Sequence, residues 1–162
     1  MKILRTPQRM VAVRVMLANG RAVEGGLYVP AIGPDGQPGR LLDRLNDDTE
    51  QFLPLAGRYE TLLNKSAIVS VQLASGHERA ENIEQEIARE QQVRMVLSQG
   101  NVVDGWIRYL MPEEKARLLD YLNAAPAFIA VLGERRVILV QRRFILSIQE
   151  LTGVSAIKQM QS

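Results

Sequence analysis

The chain of 162 residues is 46% hydrophobic and 23% charged, an ordinary globular composition that excludes collagen-like, mucin-like and wholly disordered classes. Twenty Lys and Arg against eighteen Asp and Glu leave a formal charge of +2, too near balance to argue for a nucleic-acid partner from bulk charge alone. The lack of cysteine excludes disulfides, thiolate nucleophiles and Cys-ligated metal, and fits a reducing cytoplasm.

Met1 to Pro7 lacks the apolar stretch of a secretory signal, and no later apolar run approaches the roughly 18 residues of a membrane span. A cytoplasmic protein with no membrane partner is therefore expected. Val11, Val13, Val15 and Leu17 alternate with Ala12, Arg14 and Met16, the period of two of a strand with one buried face. Asn19-Gly20 suits a two-residue hairpin turn. The returning strand carries Val23, Gly25 and Leu27, where the glycine predicts a bulge or sharp bend.

Pro30 to Gly39 holds three prolines and three glycines and reads as an exposed loop. The leucines at 41, 42 and 45 in Arg40-Leu41-Leu42-Asp43-Arg44-Leu45-Asn46 have helical spacing. Phe52-Leu53-Pro54-Leu55 then reads as an apolar strand. Leu62-Leu63 and Ile68 to Val71, joined by the polar turn Asn64-Lys65-Ser66, read as two closing strands. Ser75 to Glu90 is acidic, net −3 from five Glu against two Arg, with Ala80, Ile83 and Ile87 on one stripe, and predicts a helical connector. Residues 126 to 162 carry +3, from five Lys and Arg against two Glu. The two charged segments could pair or each face solvent.

The order then repeats. Val13 to Gly25 aligns with Val93 to Gly105 at an offset of 80, with six of thirteen positions identical. Arg40 to Asn46 aligns with Arg117-Leu118-Leu119-Asp120-Tyr121-Leu122-Asn123 at 77, with six of seven identical. Phe52 to Leu55 answers Phe128 to Val131, and Leu63 to Gln72 answers Val140 to Gln149. In the second unit Pro112-Glu113-Glu114 predicts a helix start near Met111.

Strand, Gly turn, strand with a central Gly, an Asp…Asn element, an apolar strand and a polar turn before a closing strand resemble the Sm-like (LSm) small β-barrel family. The resemblance is one of spacing, carried by Val13 to Gly25 with Asp43 to Asn46, and by Val93 to Gly105 with Asp120 to Asn123. Together these cover about two thirds of the chain. It departs from the family in the inserted helix, in Leu45 and Leu122 where an aromatic or Met is usual, and in the closing turns Asn64-Lys65 and Gln141-Arg142. The Arg-Leu-x-Asp-x-Leu-Asn, Phe-Leu-Pro-Leu and Lys-x-x-Ile order also resembles a bacterial family of uncharacterised domains, which implies no known activity. The expected fold is mainly β: two tandem Sm-like antiparallel barrels, each with a short inserted helix. Residues 9–73 form the first barrel, 74–90 an acidic helical linker, 91–150 the second barrel and 151–162 a C-terminal tail.

Candidate site residues come from the repeat. Asp43 and Asn46, with Asp120 and Asn123, could form a polar site or serve helix capping and local backbone hydrogen bonds. Arg40 and Arg117 could bind phosphate or pair with the Asp three positions on. Lys65, Arg142 and Arg143 occupy closing turns where a barrel rim could contact a phosphodiester, but exposed aromatic platforms for bases are not evident. Phe52 and Phe128 are expected in the core. Trp106 and Tyr109 could line a groove of the second unit or pack between units. His77 has no partners at metal-ligand spacing, and no phosphate loop, nucleophile elbow or dinucleotide fingerprint occurs. No catalytic residue, cofactor or metal is expected. A non-enzymatic interaction or scaffold module is expected instead, binding a protein partner or self-associating as a homo-oligomer through barrel edges. RNA or single-stranded nucleic-acid binding is the alternative.

Overall fold

Alternation of Val11, Val13 and Val15 with solvent-facing Ala12 and Arg14 lays three valines on one face of the first strand, and all three are buried. A computed structural model describes residues 7–74, 89–110 and 117–151. The first half comprises β1 (Gln8–Leu17), β2 (Ala22–Pro30), α1 (Leu41–Asn46), β3 (Phe52–Leu55), β4 (Thr61–Asn64) and β5 (Ile68–Ala74). The second comprises β6 (Arg89–Leu97), β7 (Val102–Tyr109), α2 (Leu118–Ala124), β8 (Phe128–Leu132), β9 (Arg136–Gln141) and β10 (Ile145–Glu150). Single 3₁₀ turns, Lys65–Ala67 and Arg142–Phe144, occupy the same place before β5 and β10. The sequence repeat is thus a structural one.

Ala74 belongs to β5, and Arg89 and Glu90 open β6; the rest of the expected connector, with His77, lies outside the described residues. So do the expected helix start near Met111 and all of the tail beyond Leu151.

The strands do not close into two separate barrels. Eight of them form one antiparallel sheet in the order β10-β6-β7-β8-β9-β5-β1-β2, while β3 and β4 make a two-stranded sheet joined to β2 by a bridge between Gly26 and Ala56. The halves meet where β5 pairs with β9, Ser70 facing Val140, Val71 facing Leu139 and Gln72 facing Ile138. A strand edge is a row of unsatisfied N–H and C=O groups, and here the neighbouring repeat supplies the partner.

Side chains cross this junction with the backbone. The first core gathers Val11, Leu27, Leu45 and Leu53 together with Phe128, Val137 and Leu139 of the second half. The second gathers Val93, Met95, Ile107 and Ile129 with Val69 of the first half. Neither repeat builds its core from its own residues alone.

Gly25 and Gly105 do not mark bulges. Register runs unbroken through Val13 opposite Gly25 and Val93 opposite Gly105. Each instead lets the following strand pass close by: a Cβ at Gly25 would lie 2.4 Å from the Ala56 carbonyl oxygen, and one at Gly105 2.6 Å from that of Leu132.

Candidate interaction site

The repeated Arg and Asp form local ion pairs. Arg40 meets Asp43 at 2.6 Å and Arg117 meets Asp120 at 2.9 Å, both i, i+3 across a helix start. Arg40 is buried whereas Arg117 is exposed. Around the first pair a cleft of about 590 Å³ is lined by Tyr28, Arg40, Asp43, Arg44, Asp47 and Glu50. Its charges are engaged with one another: Arg44 pairs with Glu50 at 3.1 Å and donates to the Tyr28 carbonyl. The side chain and backbone amide of Thr49 donate to the Asp47 carboxylate and hold its pKa below the ordinary value.

Asn46 and Asn123 diverge. Asn46 reaches across the junction, its Nδ2 donating to the Phe128 carbonyl at 3.0 Å and its Oδ1 accepting from the Phe128 amide at 2.8 Å. Asn123, at the same place in the second repeat, is exposed, and its side chain makes no hydrogen bond among the described residues.

Two of the three turn cations point inward. Lys65 is buried and its Nζ donates to the Asp47 carbonyl, just past the end of α1. Arg142 does the equivalent in the second repeat, donating to the carbonyls of Leu122 and Pro126 at the end of α2. Both therefore fasten a helix end to the turn before the closing strand, as cations near helix C-termini do. Arg143 is exposed, its guanidinium 5.0 Å from the Phe144 ring centroid. Of the candidate residues, Asp43 and Asp120 pair with Arg40 and Arg117, Lys65 and Arg142 bond carbonyls at helix ends, Asn46 bonds Phe128 of the other half, and Asn123 and Arg143 are exposed.

Phe52 is not a core residue. It is 54% exposed, whereas its counterpart Phe128 is 2% exposed. The same contrast separates Leu62, 63% exposed, from Leu139, and Leu146, 66% exposed, from Val69, the two counterparts being fully buried. Phe52 and Leu62 lie on the β3-β4 sheet and Leu146 on β10, the strand that ends the eight-stranded sheet. Exposed apolar side chains also occur elsewhere, among them Met10, Tyr59 and Val102, but Phe52, Leu62 and Leu146 have repeat counterparts that are at most 2% exposed. Reading the sequence alone misses Leu62 and Leu146 because each looks like ordinary core in its own repeat. Tyr109 is buried and stacks on Tyr121 with ring centroids 5.2 Å apart, within the second repeat; Trp106 pairs with Leu132 in the strand ladder while its side chain is 38% exposed. Among the described residues no helix is long and apolar enough to cross a membrane. A scan against protein-family models, a search of curated proteins and a search of solved structures each find no match.

Proposed function

We propose that the chain is a non-enzymatic interaction module that binds polypeptide through β4 and β10, the sheet-end strands that no bridge joins to a further strand. One observation carries the reading: both strands end a sheet and both present large apolar side chains, Leu62 and Leu146, to solvent. Main-chain hydrogen bonds from such an edge supply affinity and the alternate side chains supply selectivity. The internal junction of β5 with β9 is an instance of that chemistry within one molecule. On the same reading the halves are two Sm-like units, a relation supported by the repeated spacing of Val13 to Gly25 and Asp43 to Asn46.

Nucleic-acid binding is the lesser reading. Arg135 and Arg143 are exposed cations that suit it, but Lys65 and Arg142 are engaged with backbone carbonyls. Salt-sensitive retention of poly-U would raise it.

The test places a photoreactive phenylalanine derivative at 62 or at 146, with Ile32, an exposed loop residue, as the control position. Irradiation in native lysate is expected to give polypeptide crosslinks from 62 and 146, to this chain or to another, in excess of those from 32. Equal yields at all three positions would overturn the proposal.

A further inference from the structure

The chain contains both halves of one interface twice, and uses only one set. At the internal junction β9 lies against β5; β4 is the first-repeat counterpart of β9, and β10 is the second-repeat counterpart of β5. The unused pair, β4 and β10, consists of the same two structural elements and is left at the sheet ends. We propose that the occupant is a second copy of this chain: β4 of one copy pairs antiparallel with β10 of the next, head to tail. This rests on the reading of β4 and β10 as the working edges and names what they bind.

The internal junction supplies the register. The 3₁₀ turns Lys65–Ala67 and Arg142–Phe144 are 77 residues apart. Shifting Ser70 opposite Val140 and Val71 opposite Leu139 by that amount sets Ser147 opposite Leu63 of the neighbouring copy, and Ile148 opposite its Leu62. Three further features match. Phe52, Leu62 and Leu146 are more than half exposed, while Phe128, Leu139 and Val69 are at most 2% exposed because the junction covers them. Ile145 and Ile148 are only partly buried, whereas their counterparts Ile68 and Val71 are fully buried. Asn123, whose exposed side chain makes no hydrogen bond among the described residues, is the counterpart of Asn46, which clasps Phe128; across the new junction it meets the Phe52 backbone.

Such an interface uses two different surfaces, so it does not stop at a dimer. It is also weaker than the internal one. The register sets Glu150 opposite Glu60, where the internal junction has Leu73 opposite Val137, and like charges directly opposed across strands are unfavourable. Association is therefore expected to depend on concentration.

Light scattering coupled to size exclusion tests this on the purified full chain. Wild type is expected to rise with concentration past the mass of two chains. Leu62→Asp and Leu146→Asp, both at exposed positions and checked for folding by Trp106 fluorescence, are each expected to remain monomeric. Mixed in equal amounts they form a 1:1 pair and nothing larger, because one variant keeps β10 and the other keeps β4. Glu150→Lys, which turns the like-charge pair into an ion pair, is expected to lower the concentration for half-assembly several-fold. A wild type that is monomeric at all concentrations, a dimer that never exceeds two chains, or variants that fail to complement would each overturn the head-to-tail pairing. If wild type is monomeric but positions 62 and 146 still crosslink to another polypeptide in lysate, the second copy is wrong and the interaction module stands. If crosslinks at these positions also fall to the control level, both fail.

Discussion

The carboxamide of Asn46 holds both backbone groups of Phe128, 82 residues away, accepting from its amide at 2.8 Å and donating to its carbonyl at 3.0 Å. The clasp ties the end of α1 to the start of β8 and so seats the Phe128 ring, which is buried in the core of the other half. Asn46→Ala removes two hydrogen bonds and leaves a partly buried donor and acceptor unmatched, a loss of about 2 kcal/mol. Asn46→Asp keeps only the acceptor and is expected to fall between the two in urea midpoint. Asn123→Ala, with nothing to break in the isolated chain, is expected to stay within about 0.5 kcal/mol of wild type.

Close approach of a neighbouring backbone constrains the repeated glycines. Because a Cβ at Gly25 or Gly105 would meet a backbone oxygen at 2.4 or 2.6 Å, Gly25→Ala and Gly105→Ala are expected to destabilise by about 1 to 3 kcal/mol through overpacking. Gly100 offers the contrast: it has open space within 4 Å but a φ of +82°, so Gly100→Ala is expected to lose about 1 kcal/mol from the left-handed backbone alone. Calorimetric melting of the three variants separates contact from conformation.

Shared cores make the halves unfold together. Leu27 is fully buried in the first core, whose members include Phe128, Val137 and Leu139, while Trp106, the sole tryptophan, sits in the second half. Leu27→Ala is expected to cost about 2 to 5 kcal/mol and to lower the midpoint seen by Trp106 fluorescence as far as that seen by far-UV circular dichroism. A Trp106 transition left in place would show independent halves.

The local pattern was readable wherever periodicity and burial coincide. Valines at 11, 13 and 15 predicted β1, the leucines at 41, 42 and 45 predicted α1, and Arg40 with Asp43 formed the ion pair that their spacing suggested. What stayed hidden was set by contacts distant in sequence. Pairing of Val71 with Leu139 has no local signal, and without it two closed units look as plausible as one continuous sheet. Phe52 and Phe128 occupy the same place in the repeat, and only the presence of a neighbour across the junction buries one and not the other. Lys65 reads as a rim cation because the Asp47 carbonyl that receives it lies 18 residues back.

One pH effect follows from the second core. Burial is the main cause that pushes the Tyr109 phenol above its ordinary value, and the carboxylates of Glu150 and Asp120 push the same way against Arg89. The folded state thus holds this proton more tightly than the unfolded chain. Its stabilising effect is full below the unfolded value near 10 and is lost as pH rises through the folded one. Tyrosinate absorbance at about 295 nm is expected to show one late-ionising group that disappears in Tyr109→Phe, and that variant is expected to lose less stability above pH ~10 than wild type does.

Lys65 and Arg143 occupy the same turn in successive repeats, one position apart in register, yet their environments predict opposite outcomes. Lys65 is 8% exposed with its ammonium on the Asp47 carbonyl. Lys65→Met keeps the apolar stem but leaves that carbonyl without its donor, an expected loss of about 1 to 3 kcal/mol. Arg143 is exposed and gives up only a contact over the Phe144 ring, so Arg143→Ala is expected to cost under about 1 kcal/mol. A role in phosphate binding would invert the pattern, with Lys65→Met neutral in thermal melting and detrimental only to ligand retention. Melting both variants beside Arg142→Ala, which also frees carbonyls at a helix end, therefore separates cations that hold the fold from those available to a partner.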